Sequence, residues 1–261
     1  MTYRPVAVNH AHSSENRIHA DDVAQRYGFS GGLVPGVAVF GYMTHEITAA
    51  LGADWLGHGI ADLRLIKPAY EGDRLAIDLT RDSPTRSSVA CRNPQGVLLA
   101  TIAVDVPPAL PPIDARATIA SDARDPERVE IALERVDIDR PFERFVWQPT
   151  DEQNRQYADW VGDDLPVYRT GVLHPHLLQH MANQVLVRRF YLPAWVHVGT
   201  EMRFRRTLRV GDAVEMRTTP IEKWERKGHH FVKLYIAYVV DGQPAVEAYH
   251  TAIIKLAERA A

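Results

Sequence analysis

Histidines and arginines carry most of the chemistry this sequence can offer. His174, His176 and His180 crowd the start of one apolar segment. On a helix, His176 and His180, four apart, would share a face as two zinc ligands do. No glutamate follows them in the metalloprotease arrangement and no third ligand is evident, so no metal is expected. His229 and His230 follow Gly228 at a turn and are expected in solvent. Arg203, Arg205 and Arg206 stand among apolar residues, as do Arg64 and Lys67. Such cations suit phosphate oxygens, yet the same pattern describes a solvated strand face, and both readings stand. His19 closes the polar run Ser14-Glu15-Asn16-Arg17-Ile18-His19, just before Asp21 and Asp22. Alone it reads as a loop histidine capping one of those carboxylates, although an imidazole that titrates near neutrality can also exchange protons with a substrate. The single cysteine, Cys91, lies in an apolar stretch and is expected to be buried and inert, with no disulfide within the chain. There is no glycine-rich phosphate loop, nucleophile elbow or zinc cysteine cluster.

The elements that must position these groups occur twice. Ser14 to Asp21 recurs as Glu152 to Asp159, with Asn16 matched by Asn154 at an offset of 138 (154 − 16). His58-Gly59-Ile60-Ala61-Asp62-Leu63-Arg64-Leu65 matches His197-Val198-Gly199-Thr200-Glu201-Met202-Arg203-Phe204, and Glu71-Gly72-Asp73 matches Val210-Gly211-Asp212, both at 139 (197 − 58; 211 − 72). Three ordered matches at nearly constant offset identify a duplication. Residues 1–106 form one unit and 127–261 the other. Between them, Pro107, Pro108, Pro111 and Pro112 forbid a helix interior or central strand, and 107–126 is expected to be an extended linker.

Each unit has one long apolar helix, Gly36 to Leu51 and Pro175 to Arg189, with a proline at or just before its start. Four strands follow each helix. In the first unit they are Gly59 to Lys67, Arg74 to Leu79, Ser87 to Arg92 and Val97 to Asp105. In the second they are Thr200 to Arg209, Ala213 to Trp224, Phe231 to Val240 and Ala245 to Lys255, with Asp241-Gly242 a strong hairpin turn. The expected fold class is α+β: antiparallel sheets, each wrapped around a long central helix.

Asn16-Arg17-Ile18-His19, Ala24, Gly28-Phe29 and Leu33-Val34-Pro35-Gly36 resemble the hydratase signature of the MaoC-like family. Leu65-Ile66-Lys67-Pro68 and Gly72-Asp73 also match that family's strand and turn after the helix. The resemblance covers most of the first unit and, more weakly, the second. It implies a tandem, or double, hotdog fold. It also implies reversible addition of water to a trans-2-enoyl thioester, giving a 3-hydroxyacyl thioester, without metal or redox cofactor. The substrate would be an acyl-CoA or acyl-carrier-protein thioester. His19 would be the base, Asn16 would orient water or a side chain, and the amide of Gly36, after Pro35, would be the oxyanion donor.

The sequence departs from the family where the aspartate five residues before the histidine is Ser14, and where Arg17 replaces a proline. Glu15, or a water on Ser14, would then have to assist His19. Arg64, Lys67 and Arg203 are candidates for binding the substrate's phosphates. In the second unit Tyr157 takes the histidine's place and Glu152 that of Ser14, so that half is expected to be degenerate. Two alternatives remain open: a hotdog thioesterase using Glu46 on the first helix, and a non-catalytic acyl-thioester binding protein.

The bulk composition narrows the setting. The 261 residues are 46% hydrophobic and 24% charged, with a net charge of −3 and both signs mixed along the chain. No basic face suggests nucleic acid. No basic region precedes an apolar run at the N-terminus, and no window approaches the roughly 20 apolar residues that span a bilayer. A cytoplasmic protein is expected, as a monomer of two repeats or a homodimer.

Overall fold

The computed structural model describes residues 3–257. Its helices are α1 (Asp21–Arg26), α2 (Gly36–Leu51), α3 (Trp55–His58), α4 (Asp151–Trp160) and α5 (Pro175–Arg189). Its strands are β1 (Ile60–Leu65), β2 (Ala76–Arg81), β3 (Arg86–Arg92), β4 (Leu98–Asp105), β5 (Phe145–Trp147), β6 (Val196–Phe204), β7 (Val214–Arg226), β8 (His229–Val240) and β9 (Gln243–Lys255). All nine strands form one antiparallel sheet in the order β2-β3-β4-β1-β6-β9-β8-β7-β5.

α2 and α5 pack against each other on one face of this sheet, sharing a core with its buried residues. Every residue of α2 from Val37 to Thr44 is buried, because the segment has no polar face to offer solvent. Inward-facing strand residues alternate with outward ones, as Ala61 and Leu63 do on β1 and Val246, Ala248, His250 and Ala252 do on β9.

The halves join edge to edge through β1 and β6, in the register Ile60↔Arg203, Ala61↔Met202, Asp62↔Glu201, Leu63↔Thr200 and Arg64↔Gly199. Asp62 therefore faces the residue 139 positions later (201 − 62), which is its own repeat equivalent, and the pairs on either side exchange symmetrically. The junction is a pseudo-two-fold, the isologous interface of a homodimer drawn within one chain. A side chain at Gly199 would put Cβ 2.7 Å from the Leu63 carbonyl oxygen, so this crossing of the halves requires glycine.

Both long helices keep their expected bounds, but other details differ. Residues 107–126 are a strap rather than a spacer. Ala117 packs on Tyr235, Ala237 and Val239 on the outer face of the second half. The fully buried Glu247 accepts the Asp114 amide at 2.9 Å and the Tyr235 hydroxyl at 2.8 Å. His229 and His230 open β8 half-buried instead of standing free, because Lys227 and Gly228, both at positive φ, already make the turn. α4 and the short edge strand β5 were not expected. Among the described residues no helix is long and apolar enough to cross a membrane.

Candidate active site

The loop from Asn9 to Ala20 carries His19 to the place where the two halves meet. Its Nδ1 lies 2.7 Å from the Leu33 carbonyl oxygen, to which only an N–H can bond. The proton is thereby fixed on Nδ1 and the lone pair on Nε2. Burial pulls the His19 pKa below its usual value, outweighing the Leu33 carbonyl, so the ring is neutral at pH 7. Asn16, three residues before it, ties this geometry to the other half. Its Oδ1 accepts the Trp195 amide at 3.1 Å, and its Nδ2 donates to the Trp195 carbonyl at 3.0 Å and lies 3.3 Å from His19 Nε2.

Two cavities meet at these residues. One, of about 330 Å³, runs between the halves past Ser14, Tyr157, His176 and His180. The other, of about 260 Å³, runs past Gly36, Leu65, Lys67 and His197. Asn16, His19, Pro35, Asn183 and Trp195 line both. Gly36 opens α2, where the first amides have no acceptor within the helix and present a partial positive charge. A Cβ on Gly36 would come 2.4 Å from Leu65 Cδ1, so glycine keeps this end of the cavity open.

The remaining expected residues divide. Ser14 lines the larger cavity and gives its hydroxyl proton to the Asn16 carbonyl oxygen at 3.0 Å, leaving lone pairs for a water. Lys67 lines the smaller cavity. Glu15 also lines the larger cavity, with its exposed carboxylate bonded to Arg128 at 2.6 Å. Arg64 and Arg203 lie on the opposite face of the sheet and cannot reach either cavity from there. Their strand neighbours Leu63 and Leu65, and Met202 and Phe204, point inward, so parity turns the arginines out. There they pair with Asp62 at 3.2 Å and Glu201 at 2.6 Å. Glu46 is not among the residues lining either cavity.

No family model matches the sequence, and no curated protein matches it. Solved structures do. A protein described as a MaoC domain dehydratase from Chloroflexus aurantiacus J-10-fl superposes with a TM-score of 0.64 at 10% identity, over 97% of this chain and 94% of the other. A conserved Mycobacterium tuberculosis protein described as having a double hotdog fold gives 0.60 at 14% identity, over 97% and 95%. The fold is a double hotdog. A protein described as an oleoyl thioesterase from Lactobacillus plantarum shares it, at a TM-score of 0.52 and 12% identity over 97% and 94%.

The second half of this double hotdog does not repeat the arrangement around His19 and Gly36. The position of Gly36 is Pro175 (36 + 139), which has no N–H to offer. The next free amide, that of His176, is capped by His174 Nδ1 at 3.1 Å. His174 Nε2 is bound to Asp163 at 3.0 Å, so both ring nitrogens are used and none is left for a metal. Asn154, fully buried, gives its amide to the Tyr168 and Val172 carbonyls and accepts the His174 amide at 2.7 Å. Tyr157 stands in α4 with its ring against His176 and His180, where burial raises its pKa and keeps it protonated. It serves the larger cavity as a wall.

Sequence reasoning missed a buried polar chain beside Gly36. His197 Nε2 lies 2.7 Å from Thr200 Oγ1, which lies 2.8 Å from His250 Nδ1 and accepts Gln179 Nε2 at 3.0 Å. A bulge in β6, between His197 and Gly199, turns both His197 and Thr200 inward although they are three residues apart. The signal for His250 was present: it occupies an inward position of an alternating strand, between Ala248 and Ala252, where an apolar residue is the rule.

Proposed function

We propose that the protein hydrates trans-2-enoyl thioesters, or dehydrates 3-hydroxyacyl thioesters, at the junction of the two cavities. The observation that carries this reading is the fixed, neutral His19, with its lone pair on Nε2, in the same cavity as the unsatisfied amides opening α2. With the thioester oxygen on the Gly36 amide, the enoyl carbons lie between that helix end and His19. A water held by Ser14 and His19 Nε2 loses a proton to the imidazole as its oxygen bonds to the β-carbon. The π electrons move onto the thioester oxygen, and the resulting imidazolium then delivers its proton to the α-carbon. One group serves as base and acid in turn, so no carboxylate is needed where Ser14 stands. Glu46, the carboxylate a thioesterase was expected to use, lines neither cavity.

Lys67 at the smaller cavity supports recognition of the anionic end of an acyl-CoA or an acyl-carrier-protein thioester. The test follows loss of conjugated enoyl absorbance and release of free thiol together, with crotonyl-CoA and longer trans-2-enoyl-CoAs. Loss of absorbance without thiol, reduced at least about 100-fold in His19→Ala, is expected for a general acid–base group. Thiol release would establish a thioesterase instead, and tight binding without turnover would establish an acyl-thioester binding protein.

A further inference from the structure

A second imidazole reaches the same cavity as the Gly36 amide. His197 is 5% exposed, and its Nδ1 lies 3.4 Å from where a Cβ on Gly36 would stand. This nitrogen is buried with no hydrogen-bond partner among the described residues. It belongs to a residue lining the smaller cavity, which offers room for one.

The partners of Thr200 decide whether that nitrogen carries a proton. A threonine hydroxyl has one proton and two lone pairs. Gln179 Nε2 takes one lone pair at 3.0 Å and stands farther off, at 3.4 Å, from His250 Nδ1. One imidazole must therefore donate to Thr200 and the other must receive its proton. If His197 donated through Nε2, His250 would receive the hydroxyl proton on Nδ1 and keep its own on Nε2. His250 Nε2 is itself a buried atom with no partner among the described residues, so that arrangement strands an N–H in the core. In the opposite arrangement His250 donates through Nδ1, Thr200 donates to His197 Nε2, and His197 carries its proton on Nδ1. Each arrangement leaves one N–H unmet, but at His197 it belongs to a residue lining the smaller cavity, where a bound oxygen can accept it. His250 lines neither cavity and is better left with only a lone pair unmet. The same preference fixes the Gln179 amide, whose Oε1 rather than its NH₂ is the atom left over.

We propose that His197 presents Nδ1–H to the cavity as a second donor, beside the Gly36 amide, on the thioester oxygen of the substrate. The inference rests on the thioester reading above and adds a group to that site. Burial outweighs the nearby Gly199 carbonyl and pulls the His197 pKa down to about 3, so the ring donates as a neutral imidazole. Thr200, His250 and Gln179 are positioning residues that hold the tautomer. As charge moves onto the thioester oxygen during addition of water, two fixed donors meet it where water is excluded.

The test uses binding of 2,4-hexadienoyl-CoA in a His19→Ala background, where turnover does not consume the conjugated band. Polarisation of the thioester oxygen shifts that band to the red. The shift is expected in His19→Ala, reduced in His19→Ala/His197→Leu with binding retained, because only the Gly36 amide is then left on the oxygen, and partly restored by His197→Asn, whose amide can stand near Nδ1. Thr200→Val is expected to weaken it. With His19 present, His197→Leu is expected to lower kcat by about 100-fold, the usual loss for one oxyanion donor. Ring ¹⁵N shifts of the unmutated protein, which need no variant to fold, are expected to place the His197 proton on Nδ1. A proton found on Nε2, or an unchanged red shift in the leucine variant, would overturn the assignment alone. Failure of the His19→Ala protein to bind the thioester would overturn the thioester reading and this assignment with it.

Discussion

Asn16 and Asn154 occupy equivalent positions in the two halves, yet of the two only Asn16 touches the His19 imidazole. Replacing each by alanine separates anchoring from chemistry. Asn154→Ala strands two carbonyls and one amide in a fully buried setting. At about 1 kcal/mol for each group left unmet, the cost is about 3 kcal/mol. Asn16→Ala strands the Trp195 amide and carbonyl, on a residue 4% exposed, for about 2 kcal/mol. In a chain of this size 1 kcal/mol moves Tm by about 3 °C, so drops of about 9 °C and 6 °C are expected. Activity should rank the other way. Asn16→Ala removes the side chain that contacts His19 Nε2, and misplacement of a base costs about 10- to 100-fold in kcat/KM. Asn154→Ala, assayed well below its melting transition, should hydrate at close to the parental rate. Thermal melts and initial rates on crotonyl-CoA measure both. Equal loss of activity in the two variants, or an unchanged melt for Asn16→Ala, would refute the division of labour.

Three other outcomes are expected. Because burial lowers the His19 pKa below that of a free imidazole, kcat/KM should be on its plateau at about pH 7.5 and fall on the acid side with a midpoint below about 6.5, and a midpoint at 7 or above would contradict the assignment. His197 and His180 have pKa values down to about 3 and about 4, so the unfolded chain binds more protons below pH 6.5 and stability falls as pH drops. At pH 5 each costs about 2 kcal/mol, read as a falling Tm between pH 7 and pH 5, and a flat Tm would mean these rings are not kept from protons. Gly36→Ala places a methyl against the end of the Leu65 side chain, so stability should fall by only about 1 kcal/mol while KM for enoyl thioesters rises; an unchanged KM would place the substrate elsewhere.

α2 and α5 were legible to the residue because long apolar segments with a proline at or just before the start leave little choice of structure. α4 was missed although Thr150 and Gln153 form a capping box, each side chain bonding the other's backbone amide. β6 begins four residues earlier than expected, since its bulge breaks the alternation that marks a strand. Arg64 and Arg203 were candidates by charge alone, whereas their apolar neighbours on both sides already dictated an outward orientation. The meeting of Asn16, His19 and Gly36 came from family resemblance, because no local pattern brings a loop at residue 16 to Trp195. His197 required the three-dimensional chain through Thr200, since its partners come from two strands and the helix of the second half.

The pseudo-two-fold at Asp62 and Glu201 has a consequence for how the protein behaves on dilution. His19 is held by Asn16 from the first half, and Asn16 is held by Trp195 from the second, so the site exists only while the halves are together. Two separate chains joined by such an edge would part as their concentration fell, and activity would drop faster than the amount of protein. Here residues 107–126 make the partner a permanent neighbour, with an effective concentration that does not depend on the solution. Specific activity should therefore stay constant to the lowest concentration an assay can reach.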